Sequence, residues 1–154
     1  MSTDITIIMG SKSDMPVADK VKSVLDEFNL RYKIHIASAH RTPELVKEIV
    51  QTSPAKVFIT IAGLSAALPG VAAANTIKPV IGIPVSGKIN LDSILSIVQM
   101  PPGIPVAAVG LDNGTNGALL AVEIIALTDK VTAKKLSEYR EAAAKKIIKN
   151  NSEL

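Results

Sequence analysis

Cysteine and tryptophan are absent from the 154 residues, and the chain holds only two Phe, two Tyr and two His. Without cysteine there is no disulfide, no thiolate zinc site and no cysteine nucleophile. So few rings argue against a site built by stacking flat ligands, such as a flavin clamp or a platform for single-stranded nucleic acid. Two histidines with few acids beside them leave no metal site expected. No basic segment followed by an apolar stretch opens the chain, and no run approaches a membrane span free of polar or turn residues. The expectation is a soluble cytoplasmic protein that contacts neither membrane nor nucleic acid. Excess charge is scarce too. The net value is +3, but residues 130–154 alone carry seven Lys/Arg against three Glu, which leaves the remainder at −1. The basic surplus therefore belongs to the solvated face of a terminal helix rather than to a nucleic-acid stripe.

What is present is apolar residue, 47% of the chain, enough for one domain over 1–154 with a real core. Strand and helix patterns alternate. Short apolar or alternating runs at 5–9, 32–37, 57–62, 80–83 and 106–109 read as strands. Helical spacing reads over 17–28, 43–51, 65–74, 91–98 and 117–127, with a last helix at about 131–149. The run at 57–62 is continuously apolar, as a strand covered on both faces must be. Five strands with intervening helices imply an α/β fold with a parallel sheet and right-handed crossovers. The helix at 117–127 is apolar almost all round, so it needs cover on two sides, and a second subunit is expected to supply one of them.

Chemistry concentrates where strands end. His40 and Arg41 follow the second strand, and Thr42-Pro43-Glu44 reads as a helix start with Thr at the cap. Imidazole takes a proton near neutral pH, and guanidinium grips a phosphate with two prongs. In open α/β sheets that edge is where ligands bind. His35 lies inside the strand and reads as structural. Gly10-Ser11-Lys12-Ser13-Asp14 follows the first strand; its hydroxyls and amides suit an anion, and capping by Ser13 or Asp14 is the equal alternative. It matches neither the Walker loop nor the G-x-G-x-x-G fingerprint. Ala62 to Gly70, a loop of small residues, leaves room for a flat ligand or serves tight packing. Ser86-Gly87-Lys88 follows the fourth strand as a candidate loop with a plain turn as its alternative, and 99–105 is a rigid Pro-rich connection whose plain reading is a structural corner. A phospho-receiver would need an acceptor Asp where Ala62-Gly63 stands, and a flavin carrier is disfavoured by the missing aromatics.

Met9-Gly10-Ser11-Lys12-Ser13-Asp14, Ser38-Ala39-His40-Arg41-Thr42-Pro43, the Ala62–Gly70 loop, Ser96-Ile97-Val98-Gln99-Met100-Pro101 with Gly103-Ile104-Pro105-Val106, and Asn116-Gly117-Ala118-Leu119-Leu120-Ala121, in this order, resemble the N5-carboxyaminoimidazole ribonucleotide mutase family of purine biosynthesis. The resemblance spans nearly the whole chain. It implies a flavodoxin-like three-layer sandwich on a five-stranded sheet, assembled as a homo-octamer and working without metal or organic cofactor. It implies that a carboxylate moves from the exocyclic amine to carbon 4 of the imidazole ribonucleotide, with His40 handling protons. The implied substrate-binding residues are Gly10, Ser11, Ser13, Asp14, Ser38, Ala39, Arg41, Gly63, Leu64, Ser65, Ala66, Ala67 and Leu68. Ala67 stands where the mutase branch usually reads His. Leu64 stands where a sister branch, the direct carboxylases of aminoimidazole ribonucleotide, usually reads Arg. Direct carboxylation and non-catalytic nucleotide binding are the alternative activities.

Overall fold

Strands form where the β-branched runs lie, and helices where the apolar spacing turns to three and four. The computed structural model describes residues 3–153. Its strands are β1 (Ile5–Met9), β2 (Tyr32–Ile36), β3 (Val57–Ala62), β4 (Val80–Pro84) and β5 (Ala107–Ala108). They pair in the order β2-β1-β3-β4-β5, each parallel to its neighbours. Five of the helices are α1 (Met15–Glu27), α2 (Pro43–Thr52), α3 (Leu68–Ala73), α4 (Asn90–Val98) and α5 (Gly114–Ala126). The sixth, α6 (Lys130–Ser152), runs to the C-terminal end. Because side chains alternate along a strand, β1 feeds two cores. Ile5, Ile7 and Met9 pack with α1, α5 and Leu136 of α6, whereas Ile8 packs with Phe58, α2, α3 and Ile97 of α4. Every residue of β3 is buried, as cover on both faces demands. This is the flavodoxin-like three-layer arrangement. The chain leaves β1 toward β2, then reverses toward β3, and a crevice opens at that reversal.

Two expectations are corrected. The helix expected over 65–74 shortens to Leu68–Ala73, because Ser65 adopts φ +49° and residues 63–67 form a loop. The strand expected over 106–109 keeps only Ala107–Ala108; three prolines precede it, at 101, 102 and 105, and proline brings no ladder donor. Thr42 stands at the N-cap of α2 as expected, with Pro43 and Glu44 in the first turn, but its hydroxyl turns back to accept from the Ser38 amide at 2.9 Å and donate to the Ser38 carbonyl at 3.2 Å. Within the chain α1 and α6 both pack on the apolar helix α5, while Leu119, Leu120 and Ile124 stay only partly buried and Leu127 at its end is 83% exposed.

The close fit of α5 depends on glycine. A Cβ at Gly114 would land on the Val17 carbonyl oxygen and lie 2.9 Å from Lys20 Cβ. The first half of α6 is anchored by buried Thr132 and Leu136, and Tyr139 meets Phe28 at 5.7 Å between ring centroids. Arg140 pairs with Glu123 of α5. From residue 140 to 153 every residue of this terminal segment is exposed. Among the described residues no helix is long and apolar enough to cross a membrane.

Candidate active site

At the carboxyl edge of the sheet the loops after β1, β2, β3 and β4 enclose a cleft of about 540 Å³. His40, Gly10, Ser11, Ser13, Asp14, Ser38, Ala39, Arg41, Gly63, Leu64, Ser65, Ala66, Ala67 and Leu68 all line it. A larger groove of about 1120 Å³ lies at the other edge, against Ala73 to Val80 and Gly103 to Ala107. Among the described residues its one ionisable lining group is Lys78, already engaged by the Ser53 carbonyl at 2.8 Å and the Phe58 ring. The smaller cleft, by contrast, is lined by His40, Arg41 and Asp14.

The β1 loop is built from its own hydroxyls. Ser11 caps a short 3-10 turn, Lys12–Asp14: its Oγ accepts from the Ser13 amide at 3.3 Å, and Asp14 Oδ2 accepts from the Ser11 amide at 3.0 Å. This reciprocal capping box fixes both ends of the turn. Capping thus falls to Ser11 rather than to Ser13 or Asp14, and Asp14 makes no side-chain cap to α1. Asp14 is buried, and burial pushes its carboxyl above the usual range, opposed by the Ser11 amide, the Ser13 hydroxyl and the charge of Arg41. A site that receives an anionic ligand gains from a carboxyl that ionises reluctantly.

The β2 loop carries the charged pair. Ser38 Oγ accepts from Arg41 N at 3.2 Å and from Arg41 Nε at 3.3 Å, while Arg41 Nη2 reaches across to the Gly10 carbonyl at 3.1 Å. The guanidinium thereby ties the β1 and β2 loops together and stays exposed beside the Ser11 turn. His40 is exposed on the rim, unlike a buried histidine satisfied by backbone. His35 is half-buried in β2, and burial, with Lys33 assisting, holds its ring below the ordinary imidazole range.

The third side consists of the β3 and β4 loops. Ala66 and Leu68 are buried and anchor the small-residue loop, and Leu64 is 79% exposed at its tip. Ala62, Val85, Ser86 and Gly87 also line the cleft, and none of the four is among the substrate-binding residues expected from the sequence. Their position directly after a strand was the available signal, the same one that marks the other three loops.

Doubly wound topology, a cleft at the reversal of strand order and a rim of imidazole, guanidinium and hydroxyls define an α/β protein with a candidate small-molecule site at its sheet edge. The chain belongs to the AIR carboxylase family, whose model matches residues 4–146. It is 60% identical over 144 residues to the N5-carboxyaminoimidazole ribonucleotide mutase of Methanocaldococcus jannaschii, covering 93% of this chain and 92% of the relative. It is 50% identical to the mutase of Pyrococcus abyssi, covering 89% and 82% of the two chains. The crystal structure of Treponema denticola PurE2-S38D superposes with a TM-score of 0.91 at 37% identity, covering 100% of this chain and 99% of that one.

Proposed function

We propose that this protein converts N5-carboxyaminoimidazole ribonucleotide to 4-carboxy-5-aminoimidazole ribonucleotide in purine biosynthesis. The observation that carries the reading is the cleft: one rim imidazole beside one guanidinium, facing a wall of small residues, in a chain 60% identical to a mutase of that name. The Ser11 turn and Arg41 hold the ribose phosphate; a flat imidazole lies against the Gly63–Leu68 loop. The bond from the exocyclic nitrogen to the carboxyl carbon breaks, releasing carbon dioxide inside the cleft. Carbon 4 then attacks that carbon dioxide, and the proton lost from carbon 4 passes through His40 to the amine. One group that both accepts and donates suits this net isomerisation. Excluding water keeps the carbon dioxide in place.

The test supplies each substrate separately. Product should form from the N-carboxylated nucleotide without added bicarbonate. Product arising only from aminoimidazole ribonucleotide with bicarbonate would replace this reading by direct carboxylation. We place the working enzyme in the cytoplasm as a homo-octamer. Supporting assembly, Ile89, Leu91 and Val98 around α4 and Ile147 and Ile148 on α6 are all at least half exposed.

A further inference from the structure

Two aspartates that do not line the cleft hold its wall. Ser65 donates its amide to Asp92 Oδ2 at 2.6 Å, across 27 residues of sequence. Ser86 donates its amide to Asp112 Oδ1 at 2.8 Å, across 26 residues. Asp92 sits in the first turn of α4, where an acid ordinarily serves its own helix N-terminus. Here the carboxylate turns outward to the loop between β3 and α3. Asp112 is itself held in a left-handed conformation, φ +53°, and its carbonyl accepts from Lys20 Nζ at 3.1 Å. Asn90 completes the set, accepting from the Gly87 amide at 3.1 Å.

The bond to Asp92 matters because of what it restrains. Ser65 carries φ +49°, a conformation that residues with a Cβ seldom adopt. Two residues on, the Ala67 amide folds back onto the Ser65 carbonyl. Without an outside acceptor, such a loop of small residues has many competing shapes. A charged acceptor on a helix fixes one of them and consumes the Ser65 amide, so that amide is not a ligand donor.

We infer that Asp92 and Asp112 are positioning residues that keep the β3 and β4 loops closed over the cleft, so that carbon dioxide freed there is recaptured rather than lost. The inference rests on the carboxyl-transfer reading above. Escape has a balanced outcome of its own: the carbon–nitrogen bond breaks, the amine takes a proton, and free carbon dioxide and aminoimidazole ribonucleotide leave.

The experiment runs the full-length protein on unlabelled N5-carboxyaminoimidazole ribonucleotide in 13C-bicarbonate and measures released aminoimidazole ribonucleotide and label in the product. Rates in buffer alone are subtracted. Asp92→Leu should raise release relative to product by roughly tenfold or more, since small misplacements in a site carry large kinetic effects. Asp92→Asn keeps an acceptor oxygen and should stay within roughly twofold of wild type. Asp112→Gly accommodates the left-handed backbone but removes the carboxylate, and should leak as Asp92→Leu does. Melting temperatures of all three should lie within a few degrees of wild type. Wild-type partitioning in both Asp92→Leu and Asp112→Gly would overturn the inference while leaving the function intact. If wild type itself forms no product, the functional reading fails. Amide exchange then decides the tether: protection at Ser65 lost in Asp92→Leu supports it, and equal exchange overturns it. Should Asp92→Leu not fold, Asp112→Gly alone gives the same two outcomes.

Discussion

Two histidines in one chain allow a clean comparison at the level of single side chains. His40 is exposed on the cleft rim, and His35 is half-buried in an edge strand. His40→Asn should leave folding intact and lower turnover by roughly 10² or more, the usual weight of a positioned acid–base group. His35→Asn should leave turnover near wild type and lower the melting temperature. Steady-state kinetics beside thermal unfolding separates the two, and loss of turnover in the His35 variant alone would move the site. Asp4 offers a second test. Its carboxylate accepts from Arg31 Nε at 2.9 Å, Nη2 at 3.0 Å and the Arg31 amide at 3.2 Å. The Arg31 side-chain hydrogen bond holds its pKa below the ordinary 3.8, against burial. A carboxyl whose folded pKa is depressed contributes stability above its unfolded pKa and loses it as pH falls through the folded one. Arg31 is 57% exposed, so screening keeps the contribution to about 1 kcal/mol. Asp4→Asn should therefore be less stable by that amount at pH 7. Urea titrations should show the gap closing as pH drops below the carboxylate range.

Helix α5 tests the packing of whole elements. A Cβ at Gly114 meets backbone of α1, the Val17 carbonyl, whereas at Gly117 it meets only side-chain atoms, the δ-methyl and Cγ1 of buried Ile83. Backbone cannot rotate away; a flexible side chain can. Gly114→Ala should cost about 2–3 kcal/mol by overpacking, and Gly117→Ala less, despite the gain in helix propensity from both. Equal unfolding midpoints for the two would contradict the close approach of α1 and α5. The same elements show what sequence reveals. The apolar run of β3 and the three-and-four spacing of α1 state their burial in local composition, so strand and helix positions were legible. The strand-end loops were legible as candidate sites because topology sends ligands there. The neighbours that hold them were not. Asp92 reads as a first-turn helix acid, and only the fold brings it to Ser65. Ser86-Gly87-Lys88 is indistinguishable from a turn until β4 is set beside β3. The helix expected to begin at residue 65 failed because a left-handed serine leaves no trace in composition.

Across the whole molecule, apolar surface remains on α4 and on the outer half of α6. Leu91 and Ile89 are each 65% exposed, Ile147 68% and Ile148 69%. A soluble monomer rarely carries this much beside an already filled core. The protein should elute as a large symmetric oligomer, and Ile147→Asp with Ile148→Asp should reduce its mass by light scattering while helix content stays constant. An unchanged mass would free the outer half of α6 from any role in assembly. The strand order also bears on how the chain comes to be folded. β1 lies between β2 and β3, and its first residue pairs with Tyr32 on one side and Val57 on the other. All sheet contacts bridge distant stretches of sequence, a topology that slows folding in free solution. Yet β3, β4 and β5 then add outward in chain order. On the ribosome, the three strands that define the crevice are complete once residue 62 has emerged. Each later strand finds its edge already waiting, so synthesis from the N-terminus supplies an order of assembly that refolding from denaturant lacks.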